Sequence, residues 1–165
     1  VDLDLGLMLV RLALGPMLVV HGLNKVFGSG GLAGTTRWFE HLGLRPAAWH
    51  ARLAATLEVL AGAAMTLGLL SSVAATAYVG LMAVALATDH RGKGYFVFQG
   101  GFEYTIVIGM TAVAMASLGP GRWSLDHLLG IAWVGVGWAV AAVVVGLAGA
   151  AALMAACYRP FRAAT

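Results

Sequence analysis

The sequence predicts an all-α integral membrane protein, a bundle of four transmembrane helices with an additional fifth transmembrane helix at the C-terminal end. Three observations predict it. Hydrophobic residues make up 61% of the chain and charged residues 10%, where a soluble domain carries about 25% charged residues. Mean hydropathy is +0.88. Five apolar runs reach or approach the roughly 20 residues that a spanning helix needs. A chain with so little charge has too little polar surface to face water on all sides, and its 165 residues make one membrane domain.

The first helix is expected over Leu5 to Phe27. It keeps Arg11, His21, Asn24 and Lys25 within or at the edge of an apolar run. Arg11 in its middle, Lys25 after it and the lack of a small-x-small site read as a retained helix rather than a cleaved leader. A loop rich in Gly and basic residues follows from Gly28 to about Trp49, with Pro46 suited to the first turn of the next helix. The second helix is expected over Ala51 to Leu70 with Glu58 inside it. Ser71 and Ser72 read as a short turn, which makes the second and third helices antiparallel neighbours. The third helix covers about Val73 to Thr88, and a polar loop runs from Asp89 to Gly101. The fourth covers about Phe102 to Leu118, with Glu103 in its first turn, and Gly119, Pro120 and Gly121 end it. Ser124 is a candidate N-cap for the stretch SLDHLL, which leads into a fifth run, Leu128 to Cys157, of 30 uncharged residues. A helix of that length reaches about 45 Å and has to tilt or protrude. Its Ala142, Gly146 and Ala150 recur every four residues, a spacing that lets helix backbones approach closely. The chain thus divides into a bundle over 1–127, an additional helix over 128–157 and a tail over 158–165.

Charge in the loops sets an expected orientation. Lys25, Arg37, Arg45, Arg52, Arg91, Lys93, Arg159 and Arg162 fall on one side, and Arg122 on the other with Asp2 and Asp4. The expected location is a prokaryotic plasma membrane, with the N-terminus outside and the C-terminal tail in the cytoplasm. Surrounding lipid is then the first partner.

Polar side chains inside the apolar runs are the candidate site. A central charge costs about 2.5–3.5 kcal/mol against lipid on the insertion scale, so these groups must face protein or water. At about 100° per residue, His21 and Lys25 share one face of the first helix, with Arg11 within about 80° of it. Counted from the basic end, His21 lies about 9 Å deep and Glu58 about 10 Å. Glu58 is therefore expected to meet His21, and Glu103 to meet Lys25, Asn24 or the loop residues Asp89, His90 and Arg91. No carboxylate stands obviously level with Arg11, which leaves it to reach for Glu58 or an anionic ligand. Glu58, His21 and Glu103 are read as proton-handling or orienting groups, and Arg11, Lys25, Asn24 and Tyr104 as contacts to a quinone or an anion. The plainer alternative is that these charges only hold helices together. His41, His50 and His127 lie near loops and read as solvated. Trp38, Trp49, Tyr95, Phe96, Phe98, Tyr104 and Trp123 read first as an interfacial aromatic belt; otherwise Tyr95 to Phe102 lines an entrance for a flat ring.

No nucleotide, metal or covalent haem signature is present. With Cys157 as its one cysteine, the chain has no internal disulfide and no CxxC redox pair. Basic residues do not cluster on one face, which argues against nucleic-acid binding.

Three stretches, RLALGPMLVVHGLNKVFG, LEVLAGAAMTLGLL and GGFEYTIVIGMTAVAMASLGPGRWSLDHLL, resemble the DoxX family of small bacterial and archaeal membrane proteins. The likeness covers about residues 5–129 and rests on the combination of an R…HG-x-x-K first helix, an E-x-x-x-G second helix, G-G-x-E-Y opening the fourth and G-R-W-S-L-D after it. The resemblance implies a four-helix membrane bundle. It also implies a kinship with the membrane subunit of a thiosulfate:quinone oxidoreductase and with members linked to oxidative-stress defence. It carries the polar motif positions onto Arg11, His21, Lys25, Glu58 and Glu103. The expected function is a membrane subunit of a quinone-linked redox system, thiosulfate- or stress-related, whose partner subunits dock on the fifth helix. The alternative is a non-catalytic scaffold of a larger complex, or a homo-oligomer; a small-solute carrier or sensor comes third, for want of paired broken helices.

Overall fold

The computed structural model describes residues 1–160, and these are helical throughout apart from their connections. In chain order the helices are α1 (Asp2–Phe27), α2 (Gly31–Leu42), α3 (Ala47–Leu67), α4 (Ser71–Ala87), α5 (Glu103–Leu118), the single turn α6 (Leu125–Leu128) and α7 (Val136–Cys157). A 3-10 turn, Val97–Gln99, interrupts the loop before α5. By length and composition α1 and α7 are able to cross a membrane, whereas α4 and α5 are apolar but shorter. Arg162 and the rest of the expected tail beyond residue 160 lie outside the described residues.

Two helix layers enclose the core. In one, α1 lies along α3 and α2 packs across both; in the other, α4 packs on α5 and α7. The main core joins Leu14, Leu18, Met65, Tyr78, Ile108 and Met115 from α1, α3, α4 and α5. Its tightest seam is between α1 and α3. A Cβ on Gly22 would come within 2.8 Å of the Ala55 carbonyl and 3.0 Å of the Glu58 Cβ, and one on Gly62 within 2.7 Å of the Gly15 carbonyl. Glycine at these positions lets the two backbones touch, and dispersion contacts between close helices drive their association where lipid offers no hydrophobic gain.

The same device seats α7. Ala139, Ala142, Gly146 and Ala150 are its buried residues, and a Cβ on Gly146 would come within 2.8 Å of the Thr76 carbonyl of α4. The four-residue stripe is thus taken up inside the chain. The helix itself is shorter than expected, 22 residues or about 33 Å, a length that needs no protrusion. Residues 130–135 leave the helix because Gly130 and Gly135 adopt φ of 69° and 105°, conformations that side-chain-bearing residues avoid. Gly135 N–H donates to the Ala116 and Ser117 carbonyls at the end of α5, and Ser72 Oγ donates to the Trp133 carbonyl.

Two further expectations are corrected. The stretch read as a loop from Gly28 to Trp49 contains α2, a helix that buries Thr35 and Phe39 and whose Thr35 hydroxyl donates to the Lys25 carbonyl at 2.8 Å. Ser71 and Ser72 are the first residues of α4, not a turn. The turn is Gly68–Leu70, where Gly68 and Leu70 take φ of 62° and 48°. Ser124 does cap α6, its Oγ accepting from His127 N–H at 3.2 Å.

After α7 the chain pairs with the α2–α3 connection. Arg45 N–H donates to the Cys157 carbonyl at 2.9 Å and Arg159 N–H to the Gly43 carbonyl at 2.7 Å. The ends of α1, α4 and α7 and the starts of α3 and α5 therefore gather at one end of the bundle.

Replacing Gly62 with Leu forces α1 and α3 apart against backbone atoms that have no room to rotate away. Overpacking of this kind costs about 1–3 kcal/mol. Thermal unfolding in mild detergent is expected to show a lower midpoint for Gly62→Leu, with Gly6→Leu, where no atom lies within 4 Å of the added Cβ, unchanged.

Candidate ligand cavity

At the end where these termini gather, the two layers separate around a cavity of about 550 Å³. That volume falls in the range of small-molecule sites, about 300–1,000 Å³. Its walls are apolar: Leu18 of α1, Phe39 and Leu42 of α2, Leu53 and Leu57 of α3, Leu81 and Met82 of α4, and Leu153 of α7. Leu57 and Val145 both line it and are 37% and 58% exposed, which marks its rim between α3 and α7.

A Lys–Glu ion pair stands in this apolar wall. Lys25 Nζ donates to Glu58 Oε2 at 2.7 Å, with both side chains nearly buried. The pair follows from the glycine seam, because Gly22 brings the α1 backbone against the turn of α3 that carries Glu58. Trp38 of α2 covers the pair, its ring centroid 5.9 Å from Lys25 Nζ. Tyr104 and His21 also line the cavity. Among the described residues the Tyr104 hydroxyl has the Met17 thioether as partner, at 4.0 Å, a weak acceptor that it can exchange for a better one. His21 is exposed.

Glu58 therefore meets Lys25 rather than His21. One helical turn separates His21 from Lys25, and the α1–α3 contact at Gly22 sets Glu58 level with the latter. Four of the seven expected site residues, Glu58, His21, Lys25 and Tyr104, share the cavity, and three do not. Asn24 is exposed on the outer side of α1. Glu103 Oε1 accepts from Val97 N–H at 2.8 Å, and Glu103 N–H donates to the Tyr95 carbonyl at 2.9 Å, so Glu103 folds the loop before α5 instead of orienting Lys25. The segment Tyr95 to Phe102 lies off the cavity, its rings packed on one another.

Arg11 belongs to the opposite, closed end. It is 2% exposed and donates to the carbonyls of Thr66 at 3.2 Å and Trp123 at 2.5 Å. A carboxylate is within its electrostatic reach after all, that of Asp126. Asp126 in turn accepts from Leu70 N–H at 2.6 Å and Ser71 N–H at 2.9 Å, the first donors of α4. Asp4 closes the same end by accepting from the Arg122 backbone and Nε at 2.8 and 2.7 Å. Arg11 thus ties α1, α3 and the α5–α6 connection together, and the G-R-W-S-L-D stretch is part of this clasp.

Sequence reasoning missed Trp38 and His50 as cavity residues. His50 is buried, with Nε2 3.3 Å from the Arg45 carbonyl, not solvated. Trp38 sits where a loop was expected, and His50 just past its end. The available signal was the spacing of Leu32, Thr35 and Phe39, which puts them on one helical face. Among the described residues no group of three or more His, Cys, Asp or Glu is placed to hold a metal.

Arg11→Met removes two charge-assisted hydrogen bonds and leaves Asp126 buried without its cation. The expected loss is about 2–4 kcal/mol, a fall in melting midpoint on the order of 10 °C. A variant that melts with the wild type would remove Arg11 from this structural role.

The comparisons with known proteins bear on the first half of the chain. No curated protein and no solved structure matches it. The family model DoxX matches residues 6–91, a span that holds the α1–α3 seam, the Lys25–Glu58 pair and α4. The chain is accordingly a membrane protein that belongs to the DoxX family.

Proposed function

We propose that the cavity receives a quinone headgroup and that the protein is the membrane subunit of a quinone-linked redox system. The observation that carries this reading is the Lys25–Glu58 ion pair set in a mostly apolar cavity whose rim lies between two helices. A quinone ring is flat and apolar with two carbonyl acceptors. The cavity supplies apolar walls, the Trp38 ring, and donors at Lys25 Nζ and the Tyr104 hydroxyl, so the residues present fit the group. A quinone takes up two electrons and two protons on reduction to the quinol. Lys25 keeps two N–H donors beyond the one given to Glu58 and holds an acceptor by charge-assisted hydrogen bonding. Glu58 stands beside it and orients the Lys25 ammonium. His21 lines the cavity yet is exposed, so it stands between the cavity and the outside. The aliphatic walls exclude water from the ion pair and strengthen its field. Electrons come from outside this chain, from a partner subunit or a small reduced donor such as thiosulfate.

The small-residue stripe of α7 packs on α4, so a partner docking on α7 would meet its outward face, Val140, Val144 and Leu147. We also assign the cavity end to the cytoplasmic side. Lys25, Arg37, Arg45, Arg52, Arg91, Lys93 and Arg159 belong to elements gathered there, while the closed end offers Arg122 already paired with Asp4. Positive residues in short loops favour the cytoplasm.

Quenching of tryptophan emission by a short-chain benzoquinone, titrated onto the purified protein, tests the site. Saturable binding is expected, weakened about tenfold or more (1.4 kcal/mol,) by Lys25→Met and by Glu58→Gln and unchanged by Glu103→Gln. Absence of saturation, or equal affinity in all four proteins, would overturn the assignment. For orientation, a green fluorescent protein fused to the C-terminus is expected to fluoresce in bacterial cells, and alkaline phosphatase fused there to stay inactive; the reverse pattern would invert the topology.

A further inference from the structure

A second concavity, of about 430 Å³, lies beside the first at the same end of the bundle. Its walls are Leu86 and Ala87 at the end of α4, Met154 near the end of α7, and Phe102 at the start of α5. Arg91 and Tyr158 stand at its polar edge, with His90. The walls belong to the last turns of α4 and α7, which end at Ala87 and Cys157. The polar edge belongs to the segments just beyond. An apolar groove that turns basic where two apolar helices end has the layout of a phospholipid, acyl chain below and headgroup above.

We propose that this groove binds an anionic phospholipid, with the phosphate on Arg91 and Tyr158. The Arg91 Nη1 lies 3.5 Å from the Tyr158 hydroxyl, so both donors converge on one point. That contact is long and occupies one of the five guanidinium N–H groups, and the planar fork suits a phosphate. His90 Nδ1 is 2.6 Å from the Gly100 carbonyl. A carbonyl only accepts, so Nδ1 carries the proton and fixes the ring in the groove wall.

Charge decides for an anionic headgroup over a zwitterionic one. Among the described residues no carboxylate lines the groove to receive the ammonium of choline or ethanolamine. The nearest acidic residue in sequence, Asp89, is paired with Lys93 at 3.2 Å and does not neutralise Arg91. A basic residue near an anionic leaflet is attracted to it, and convergence in a groove adds the discrimination between headgroups. His90 also lines the central cavity, so a lipid seated here abuts the wall of the proposed ligand site. The assignment itself stands without that function.

Native mass spectrometry of the purified full chain, with phosphatidylglycerol and phosphatidylcholine of matched acyl chains added in equal amounts, tests it. The expected result is at least fivefold more phosphatidylglycerol retained by the wild type. Arg91→Gln is expected to bring the two lipids to equality, and Leu86→Trp, which fills the groove, to reduce both. Arg37→Gln, an exposed change on α2 away from the groove, is expected to keep the preference. Equal retention by the wild type, or equal loss of preference in Arg37→Gln and Arg91→Gln, would overturn the proposal. Inorganic phosphate that displaces phosphatidylglycerol at millimolar concentration would also overturn it, by making the site one for a free anion.

Discussion

The 2.7 Å contact between Lys25 and Glu58 is the interaction on which the rest of the molecule depends. Neither charge tolerates lipid, and both side chains are nearly buried in the cavity wall. Each therefore needs the other, and the helices that carry them must come together to within the reach of one lysine side chain. Gly15, Gly22 and Gly62 make that approach possible by removing the Cβ atoms that would hold α1 and α3 apart. A Leu at any of them would improve hydropathy and separate the pair. The composition of the seam thus follows from the electrostatics it serves.

A second group of buried charges governs the other end. Arg11 and Asp126 share a small volume with the Gly68–Leu70 turn, and Gly68 is required there because a Cβ would sit 2.5 Å from Arg11 Nη1. Arg11 saturates carbonyls left over at the end of α3 and beyond α5, while Asp126 saturates the first N–H groups of α4. Helix ends placed near the membrane interior must have such partners. The two ends therefore put buried charge to different uses. One is closed, its charges spent on backbone groups and on the Asp4–Arg122 pair. The other keeps an ion pair facing an apolar cavity, with donors that a ligand can still engage.

Much of this was legible in the residues. Hydropathy located α1, α3, α4 and α5 to within a few residues, since each begins or ends at a Gly, Pro or Ser. The cost of charge in lipid singled out Lys25, Glu58, His21 and Arg11 as a set. What hydropathy could not resolve was which of them touch. Helix counting placed His21 and Glu58 at equal depth, but the glycine contact at Gly22 fixes the register one turn away, at Lys25. Helix α2 was hidden because its apolar residues are few and its Gly and Thr content resembles a loop; tertiary packing on α1 and α3 supplies the stability that its propensity lacks. Residues 130–135 erred the other way. They are apolar enough to read as helix, yet Gly130 and Gly135 turn the chain so that it satisfies the end of α5 before α7 begins.

The central claim is that the ion-pair cavity, rather than the lipid-facing outside of the bundle, is where a quinone sits. The most direct measurement is photolabelling of the protein in lipid nanodiscs with an azidoquinone, followed by peptide mapping, with and without excess unlabelled quinone. The account predicts labels on Trp38, Leu57 or Tyr104, all cavity residues, that vanish under competition. Labels confined to outward residues such as Val140 and Val144, insensitive to competition, would contradict it.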